Sequence, residues 1–454
     1  MEEVPGSLVL RATPILCLLL PCLLYSVDFR FNVTPLDQCN KFLQRWLDFG
    51  RNTHADQSLI EDQQHLHLLL KRLVEGENQT QLEDTGFACH SNVKTEVCVS
   101  ERPVRIDMST MTVYAPFSQA NRTMRPYPLK DDKTAMMGVS PVQILQGNIT
   151  TPPICHYNHN VPALVFSTGG FTGNVFHDID QVIIPLFLTS RHFQSRLRFI
   201  ITDYNPSFVG KFGTIISHLS SYEVINPTEN RNVHCFPGTV VGLHYHDLLV
   251  INSTVVPQGY SMLDFKQFLR ESYNLKIQDF SGTEKPTLLL LSRQTSRKFL
   301  NEDQMVSMME ALGFRVVVAN PDMMADIENF AKIVQSCSVM VGAHGAGLTN
   351  LVFMPRGAVL VQVVGLAQDW ASAKYFGAPS KRMGLRYIEY KIEPEESSLI
   401  TLYGKDDPVI VDPASVTAKG FQMEYDVYLL QQNFNIDVVR FNQTLVRALK
   451  LVGR

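Results

Sequence analysis

The feature that most constrains this chain is a regular alternation of apolar runs and helical patterns over residues 285–454. The runs that read as strands are TLLLLSR, RVVVAN, SVMVGA, AVLVQVV and LRYIEYKI. Strands that are joined through helices pair in parallel, and a parallel sheet is covered by helices on both faces. The pattern therefore predicts an α/β domain with a terminal helix, whose ligands bind at the carboxyl ends of the strands.

A second α/β domain is predicted over residues 86–275. The apolar strand Ala163 to Phe166 leads into a glycine-rich loop, and the run LRFIITD follows a helical pattern. The apolar positions of that pattern are Phe176, Ile179, Ile183 and Leu186. These features indicate a βαβ unit. Because one hydrophobic core seldom serves more than about 250 to 300 residues, a chain of this length fits two domains.

Composition excludes several classes of protein. Forty Lys and Arg residues face 44 Asp and Glu residues, for a net charge of −4, so no basic surface for nucleic acid is expected. Apolar residues make up 45% and charged residues 19%, which excludes a disordered chain.

The N-terminal segment predicts entry into the secretory pathway. Residues 12–27, ATPILCLLLPCLLYSV, carry no charge, but they fall short of the roughly 20 residues of a full membrane span. A cleaved signal peptide and an uncleaved signal anchor both fit this pattern. We favour the anchor because no clear small-residue cleavage site follows. Residues 1–11 are then a cytosolic tail, and residues 28–85 are a lumenal stem whose helical leucine face could pair with a second copy.

Glycosylation acceptors support a lumenal chain. The N-x-S/T pattern occurs at Asn32, Asn78, Asn121, Asn148, Asn252 and Asn442. That number exceeds the roughly two or three that chance would give in a chain of this length.

The cysteines also fit an oxidising compartment. Outside the apolar segment they are Cys39, Cys89, Cys98, Cys155, Cys235 and Cys337. An even number is typical of disulfides, and the spacing of Cys89 and Cys98 suits a local hairpin bridge. No CxxC pair accompanies the histidines near Cys155 and Cys235, which disfavours a structural zinc site.

The run GAHGAGLTN, residues 342–350, directly follows a strand. Its glycines let a ligand approach the backbone, and a helix that starts there would attract phosphate. It is not a dinucleotide fingerprint, because Asn350 occupies the place of the third glycine. The run is either a structural turn or a binding loop. As a binding loop it supplies His344, Gly345, Ala346, Gly347 and Asn350.

The run SRQTSRKFLNED places Arg293, Ser296 and Arg297 between a strand end and a helix start. Guanidinium groups can grip two phosphate oxygens, and hydroxyls can satisfy others, so these residues suit a diphosphate. A solvated basic turn is the alternative.

The run HDIDQ offers His177, Asp178 and Asp180 as catalytic candidates. A D-x-D pair on a strand-end loop can hold a divalent cation, but the flanking apolar residues put this pair on a helix. His177 could act as a general base or could be a capping or core histidine. Trp370, with Tyr375 and Phe376, could stack on a sugar ring or could belong to the core.

Together these runs resemble glycosyltransferase family 61, in particular the grass clade that decorates xylan. The resemblance extends from about Val161 to the C-terminus and includes YFGAPSKRMGLRYIEYKIEPEESSL. It implies a GT-B fold of two Rossmann-like domains and an inverting transfer of arabinofuranose or xylose from a UDP-sugar to xylose residues of xylan. It also implies a single-pass type II protein of the Golgi membrane, with the catalytic domain in the lumen. In such a fold arginines and helix ends neutralise the phosphates, so no cofactor is expected and a divalent metal is dispensable.

One motif departs from the family. Relatives are expected to carry H-x-F-N-D-x-x-I-P-L, whereas this chain has HDIDQVIIPL, so Asp180 replaces the amide and Gln181 the carboxylate. Two alternatives therefore stay open: a β-1,2-xylosyltransferase that acts on N-glycan cores, and a catalytically weak lumenal sugar-binding protein. Oxidoreductase and serine hydrolase functions lack their motifs, since G-x-G-x-x-G is incomplete and G-x-S-x-G is missing.

Overall fold

The computed structural model describes residues 63–115, 121–146, 152–254, 256, 259–280 and 285–453. The predicted tail and anchor, and the acceptors Asn32 and Asn148, lie outside these ranges, as does Cys39. Within them, no helix has both the length and the apolar character needed to cross a membrane. The chain divides into two units, Met1–Leu68 and Leu69–Arg454, and the sheets belong to the second.

The first half of the second unit is rich in short strands. In chain order its elements are α1 (Glu77–Thr85), β1 (Phe87–Ser91), β2 (Glu96–Ser100), β3 (Val104–Asp107), β4 (Thr112–Ala115), β5 (Arg122–Met124), α2 (Lys133–Met137), β6 (Val142–Gln146), β7 (Tyr157–Asn158), β8 (Ala163–Ser167), α3 (Val175–His177, a π-wound segment Asp178–Ile183, and Ile184–Ser190), a 3-10 turn (Arg191–Phe193), β9 (Arg198–Thr202), α4 (Pro206–Leu219), β10 (Val233–Phe236), β11 (Thr239–Val241) and α5 (Met262–Ser272).

Two sheets share one core in this half. The first has the order β1-β2-β11-β8-β9 and the second β5-β6-β4-β3-β10-β7. Strands β8 and β9 are parallel and α3 connects them, as the predicted βαβ unit requires. The half differs from a doubly wound sheet because β1 and β2 form an antiparallel hairpin and the second sheet is mixed. Short strands that follow each other through tight turns pair antiparallel, which accounts for the difference.

Disulfides fasten the strands of this half. Cys89 and Cys98 lie opposite each other in the β1–β2 hairpin and are bonded, which confirms the predicted local bridge. Cys155 is bonded to Cys235, so neither can be a zinc ligand. Cys337 is buried and has no disulfide partner within the described part of the chain.

The predicted stem overlaps the folded unit. Leu70, Leu73 and Val74 are fully buried in the second unit, although residues 28–85 read as stem. Their helical spacing is therefore the signature of a face that packs on the folded unit.

The second half alternates strands and helices. Its elements are β12 (Thr287–Leu291), α6 (Glu302–Ala311), β13 (Arg315–Ala319), α7 (Pro321–Ala325), α8 (Ile327–Val334), β14 (Val339–Ala343), a 3-10 helix (Ala346–Phe353), β15 (Val359–Val364), α9 (Asp369–Ser372, a π-wound segment Ala373–Gly377, and Ala378–Arg382), β16 (Arg386–Lys391), a 3-10 turn (Pro394–Glu396), α10 (Leu399–Tyr403), α11 (Pro408–Val411), α12 (Pro413–Thr417), α13 (Phe421–Glu424, continued by π-wound Tyr425–Gln431) and the terminal α14 (Val438–Leu451).

These strands form one parallel sheet in the order β13-β12-β14-β15-β16, which confirms the prediction from alternation. Every residue of β12, β14 and β15 is buried, as expected for strands with helices on both faces. α6 begins after Asn301 as its sequence indicates. The Asn301 side chain, however, exchanges hydrogen bonds with the backbone of Ile436 and does not cap α6.

Candidate functional site

The predicted binding residues come together at the carboxyl ends of β12 and β14. The loop after β12 carries both arginines and the loop after β14 carries His344, and the two strands are neighbours. Arg297 donates from Nη1 to the carbonyl oxygen of His344 at 2.8 Å. Arg293 donates from Nε to the carbonyl oxygen of Ser296 at 2.7 Å. The two loops therefore form one structure at the sheet edge.

Gly345 makes this close approach possible. A Cβ atom at this position would lie 2.7 Å from Nη1 of Arg293 and 3.1 Å from Nη1 of Arg297. Its backbone φ of 151° also lies in a region that residues with a side chain rarely adopt. Both guanidinium groups thus stand directly against the loop backbone, which only glycine permits here.

The two arginines are half-buried cations. Burial lowers the pKa of Arg293, and burial followed by the charge of Arg293 lowers the pKa of Arg297 to about 10, so both are charged at neutral pH. Among the described residues, no carboxylate forms an ion pair with either of them, and Nε of Arg297 has no hydrogen-bond partner. Buried charges without partners are costly, so this pair is suited to an anionic ligand.

His344 takes part as a neutral donor. Burial, and then the charges of Arg297 and Arg293, lower its pKa to about 3. The hydroxyl of Tyr387 lies 2.8 Å from Oε1 of Gln362 and 3.0 Å from Oε1 of Glu389, and Nε2 of Gln362 lies 2.9 Å from Nδ1 of His344. With the Gln362 amide in this orientation, Nδ1 of His344 accepts and the proton of the neutral imidazole is on Nε2.

A cavity of about 160 Å³ lies beside the arginines. Polar groups of the β12 loop line one side, and apolar groups from α7 and the 3-10 helix line the other. The lining includes Ser292, Arg293, Thr295, Pro321, Met324 and Leu348. A planar ring with polar edges would suit such a mixed surface.

The remaining binding candidates lie on the 3-10 helix that follows the glycine loop. Ala346 and Gly347 form its first residues. Asn350 is buried and donates from Nδ2 to the carbonyl oxygen of Gly347 at 2.9 Å, while its Oδ1 has no hydrogen-bond partner in the described part of the chain. Asn350 therefore holds the loop in place.

The D-x-D pair lies on the π-wound segment of α3, as the apolar spacing predicts. Asp178 is buried and accepts from the backbone nitrogen of Gly173 at 2.8 Å, and Lys211 lies 3.5 Å from its other oxygen. Burial raises its pKa despite these contacts. Asp178 thus ties the glycine-rich loop to α3.

Asp180 points to a different set of partners. It is fully buried and accepts from the backbone nitrogen of Leu249 at 2.6 Å and from the hydroxyl of Tyr245 at 3.2 Å. Burial raises its pKa to about 7. The described residues contain no group of three or more His, Cys, Asp or Glu side chains that could hold a metal ion.

His177 lies at the start of α3 with the properties of a proton acceptor. Burial lowers its pKa, against the opposing effects of Gln181 and the charge of Asp132, and its Nδ1 has no hydrogen-bond partner among the residues that the structure describes. A neutral imidazole with an unused nitrogen can accept a proton. Gln181 is itself held by Tyr127, whose hydroxyl donates to Oε1 at 2.7 Å.

An aromatic contact brings His177 to the arginine loops. Phe176 meets Tyr375 edge to face with 5.4 Å between ring centroids, and Tyr375 stacks on His344 at 6.2 Å. The first segment of α3 also packs against the 3-10 helix Ala346–Phe353. The structure therefore brings the segment of His177 close to the loop of His344, although the two are far apart in sequence.

Sequence reasoning missed the residues that support this site. Gln362 is a polar residue in the otherwise apolar run AVLVQVV, and that interruption was a usable signal. Tyr387 and the bridging role of Tyr375 had no comparable signal. Asp203, at the end of β9, is engaged by the hydroxyls of Ser167 and Ser140.

Comparison with known proteins identifies relatives. The family model described as Glycosyltransferase 61 matches residues 155–361. Alpha-1,3-arabinosyltransferase XAT3 of Oryza sativa subsp. japonica is 37% identical over 388 residues, 83% of this chain and 67% of that protein. Beta-1,2-xylosyltransferase XYXT1 of the same organism is 37% identical over 72% of each chain. Xylan glycosyltransferase MUCI21 of Arabidopsis thaliana is 31% identical over 83% of this chain and 81% of that protein.

Proposed function

The chain belongs to glycosyltransferase family 61, and from that membership we propose that it is a UDP-sugar-dependent pentosyltransferase that acts on xylan. The pentose is arabinofuranose or xylose, because the relatives carry the names of both activities. The observation that carries the proposal is the pair of half-buried guanidinium groups of Arg293 and Arg297 against Gly345, which form no ion pair with a described carboxylate. The segment of α3 that carries His177 packs against the 3-10 helix that follows Gly345.

In this proposal the second half binds the donor in a GT-B arrangement. Arg293 and Arg297 bind the diphosphate, Nε2 of His344 donates a hydrogen bond, and the nearby cavity receives the uracil ring. Two arginine charges balance the two phosphates, so no divalent ion is required. The pentose then points toward α3.

The transfer step uses His177 as general base. A hydroxyl of the acceptor xylose gives its proton to His177 while its oxygen forms a bond to C1 of the pentose. The bond from C1 to the phosphate oxygen breaks, and UDP leaves with that electron pair. Attack opposite the leaving group inverts the configuration at C1. Asp178 and Asp180 position α3, because their oxygens are engaged by Gly173 and Leu249.

The proposal places the chain in the Golgi membrane as a single-pass type II protein with a lumenal catalytic domain. Four acceptor asparagines lie in the described residues and none is fully buried: Asn78, Asn121, Asn252 and Asn442. The two disulfides fit the same compartment.

A sugar-binding protein with weak catalysis is the second candidate, because Gln181 stands where the family is expected to carry a carboxylate. The two candidates differ in turnover. We would incubate the purified full chain with UDP-xylose or UDP-arabinofuranose and xylohexaose, and follow UDP release and product mass. Cellohexaose and an N-glycan core serve as the other acceptors, and one arm contains EDTA.

Pentosylated xylohexaose, formed equally in EDTA, is the expected result. If products formed only on the N-glycan core, the acceptor would be the N-glycan and not xylan. Binding of UDP without any product would favour the weakly catalytic protein. Loss of activity in EDTA, with recovery in manganese, would overturn the metal-independent donor site.

A further inference from the structure

Three aromatic rings are exposed near the carboxyl edge of the parallel sheet. They belong to Trp370, which is 70% exposed, Phe421, which is 71% exposed, and Tyr425, which is 39% exposed. Trp370 lies at the start of α9, whereas Phe421 and Tyr425 lie together on α13. Exposed aromatic rings beside a site indicate a binding surface. We call these three residues the aromatic platform.

The aromatic platform is continuous with the arginine site. Trp370 meets Tyr375 edge to face at 5.9 Å between centroids, and Tyr375 stacks on His344. Phe421 lies 5.9 Å from Tyr425. Tyr425 begins the π-wound segment Tyr425–Gln431, and Gln432, directly after that segment, accepts from the backbone nitrogen of Arg297 at 2.7 Å. Both arms of the platform therefore lead to the proposed diphosphate site.

The strand order separates the aromatic platform from the cavity proposed for the base of the nucleotide. The cavity lies at the end of β12, on the side of Pro321, which follows β13. Trp370 follows β15, which is separated from β12 by β14. Arg293 lines the cavity, and His344, which follows β14, lies between the cavity and Trp370 in the strand order. A nucleotide whose base fills the cavity thus leaves the platform to another ligand.

The charges near Trp370 favour a neutral ligand. Asp369, the residue before Trp370, forms an ion pair with Lys391. Trp370 therefore offers an apolar ring face next to a charge pair that is already satisfied. Flat pyranose rings present C–H groups on their faces, which pack well on aromatic rings.

We propose that the aromatic platform binds the xylan chain by stacking of its xylose rings, at a distance from the xylose that reacts. This inference rests on the proposed function, which supplies xylan as the acceptor. It assigns Trp370 and Phe421 to acceptor binding and leaves Arg293, Arg297 and His344 with the donor. Stacking at several rings makes the affinity for the acceptor depend on its length.

The test compares Trp370→Ala and Phe421→Ala with Val439→Ala, which removes a side chain that is 72% exposed on α14. Each full-length protein is run through native gels with and without dissolved xylan, and KM is measured with xylobiose and with xylohexaose. We expect the platform variants to lose retardation by xylan. We also expect a five- to tenfold higher KM for xylohexaose, with little change for xylobiose or for UDP binding.

Several outcomes would overturn the platform. Wild-type retardation of Trp370→Ala and Phe421→Ala, or a wild-type protein that xylan does not retard, would do so directly. If KM rose equally for xylobiose and xylohexaose, the rings would have a structural role and would not bind the distant part of the acceptor. If Trp370→Ala bound UDP more weakly, Trp370 would belong to the nucleotide site. If retardation depends on Trp370 but the wild type transfers no pentose, the platform stands and the pentosyltransferase proposal fails.

Discussion

The ring of Phe176 meets the ring of Tyr375 edge to face, with 5.4 Å between their centroids. Phe176 directly precedes His177 on α3, and Tyr375 stacks on His344 beside the arginines. Such an aromatic pair contributes about 0.5 to 1.5 kcal/mol beyond its buried area. This contact therefore fixes the position of the proposed base relative to the proposed donor site.

We predict that Phe176→Leu lowers kcat about tenfold and changes the affinity for UDP by less than twofold. The leucine keeps apolar bulk but removes the edge-to-face contact, so His177 loses its fixed position while the arginines keep theirs. Single-turnover kinetics and UDP titration measure the two effects.

The matched control for this variant is Phe212→Leu, a buried aromatic change on α4, where Phe212 contacts Phe208. It is expected to lower thermal stability and to leave kcat nearly unchanged. Similar losses of kcat in both variants would mean that Phe176 acts only through stability.

Gly345→Ala should weaken UDP binding as strongly as Arg293→Ala does, about ten- to a hundredfold. The added Cβ would stand 2.7 Å from a nitrogen of Arg293, so the guanidinium must move away from the loop. His344→Ala should weaken binding in the same direction. Gly213→Ala on α4 meets no atom within 4 Å and serves as the control. Isothermal titration measures the affinity for UDP. Equal UDP affinities of Gly345→Ala and Gly213→Ala would contradict the assignment of the arginine loops to the diphosphate.

The parallel sheet could be predicted from sequence because the patterns that specify its strands and helices are local in the chain. Each of its strands is a continuous apolar run, and the order of runs and helices implies the pairing. The mixed sheet of the first half could not be predicted in this way. Its pairing of β10 with β3 joins residues that lie far apart in the chain, and no local pattern encodes that register.

The site was predictable in its parts and not in its assembly. Strand-end positions identified Arg293, Arg297 and His344. The approach of His177 depends on the packing of α3 against the second half, which is a tertiary property. The exposure of Trp370 likewise follows from how α9 lies on the surface, since its sequence fits a core equally well.

His177→Ala should lower kcat by a factor of about 100 to 10,000 and leave UDP affinity nearly intact, because the side chain contacts the acceptor hydroxyl and not the nucleotide. Burial lowers the pKa of His177, which favours the neutral form that a base requires. The kcat of the wild type should therefore fall only in acidic buffer, at a lower pH than for an ordinary histidine base. Full turnover by His177→Ala would redirect the search to Asp178, Asp180 or Asp203.

A topology in the secretory lumen predicts glycans on the acceptor asparagines. Treatment of the chain from plant cells with peptide N-glycosidase should increase its gel mobility. Substitution of Asn121→Gln and Asn252→Gln together should abolish part of that shift, since both lie outside helices and strands. An unchanged band, or recovery of the chain in the cytosol, would contradict the predicted topology.

Asp180 predicts a pH dependence of stability. Its pKa is 3.8 in the unfolded chain and about 7 in the buried site. Between these values the folded protein holds a proton that the unfolded chain has lost, so this contribution to stability is largest in acid and is lost as the pH rises to 7. From pH 5.5 to pH 8.5 the loss amounts to about 2 kcal/mol, most of it below pH 7.

Asp180→Asn should remove this loss, because the amide cannot ionise and its oxygen can still accept from the backbone nitrogen of Leu249. The gain of the variant over the wild type in free energy of unfolding should therefore be about 2 kcal/mol larger at pH 8.5 than at pH 5.5. Denaturant unfolding at both pH values measures it, with Asp303→Asn on exposed α6 as the control that follows the wild type. If the difference in free energy of unfolding between Asp180→Asn and the wild type were the same at both pH values, Asp180 would be ionised throughout, with Leu249 and Tyr245 stabilising its charge.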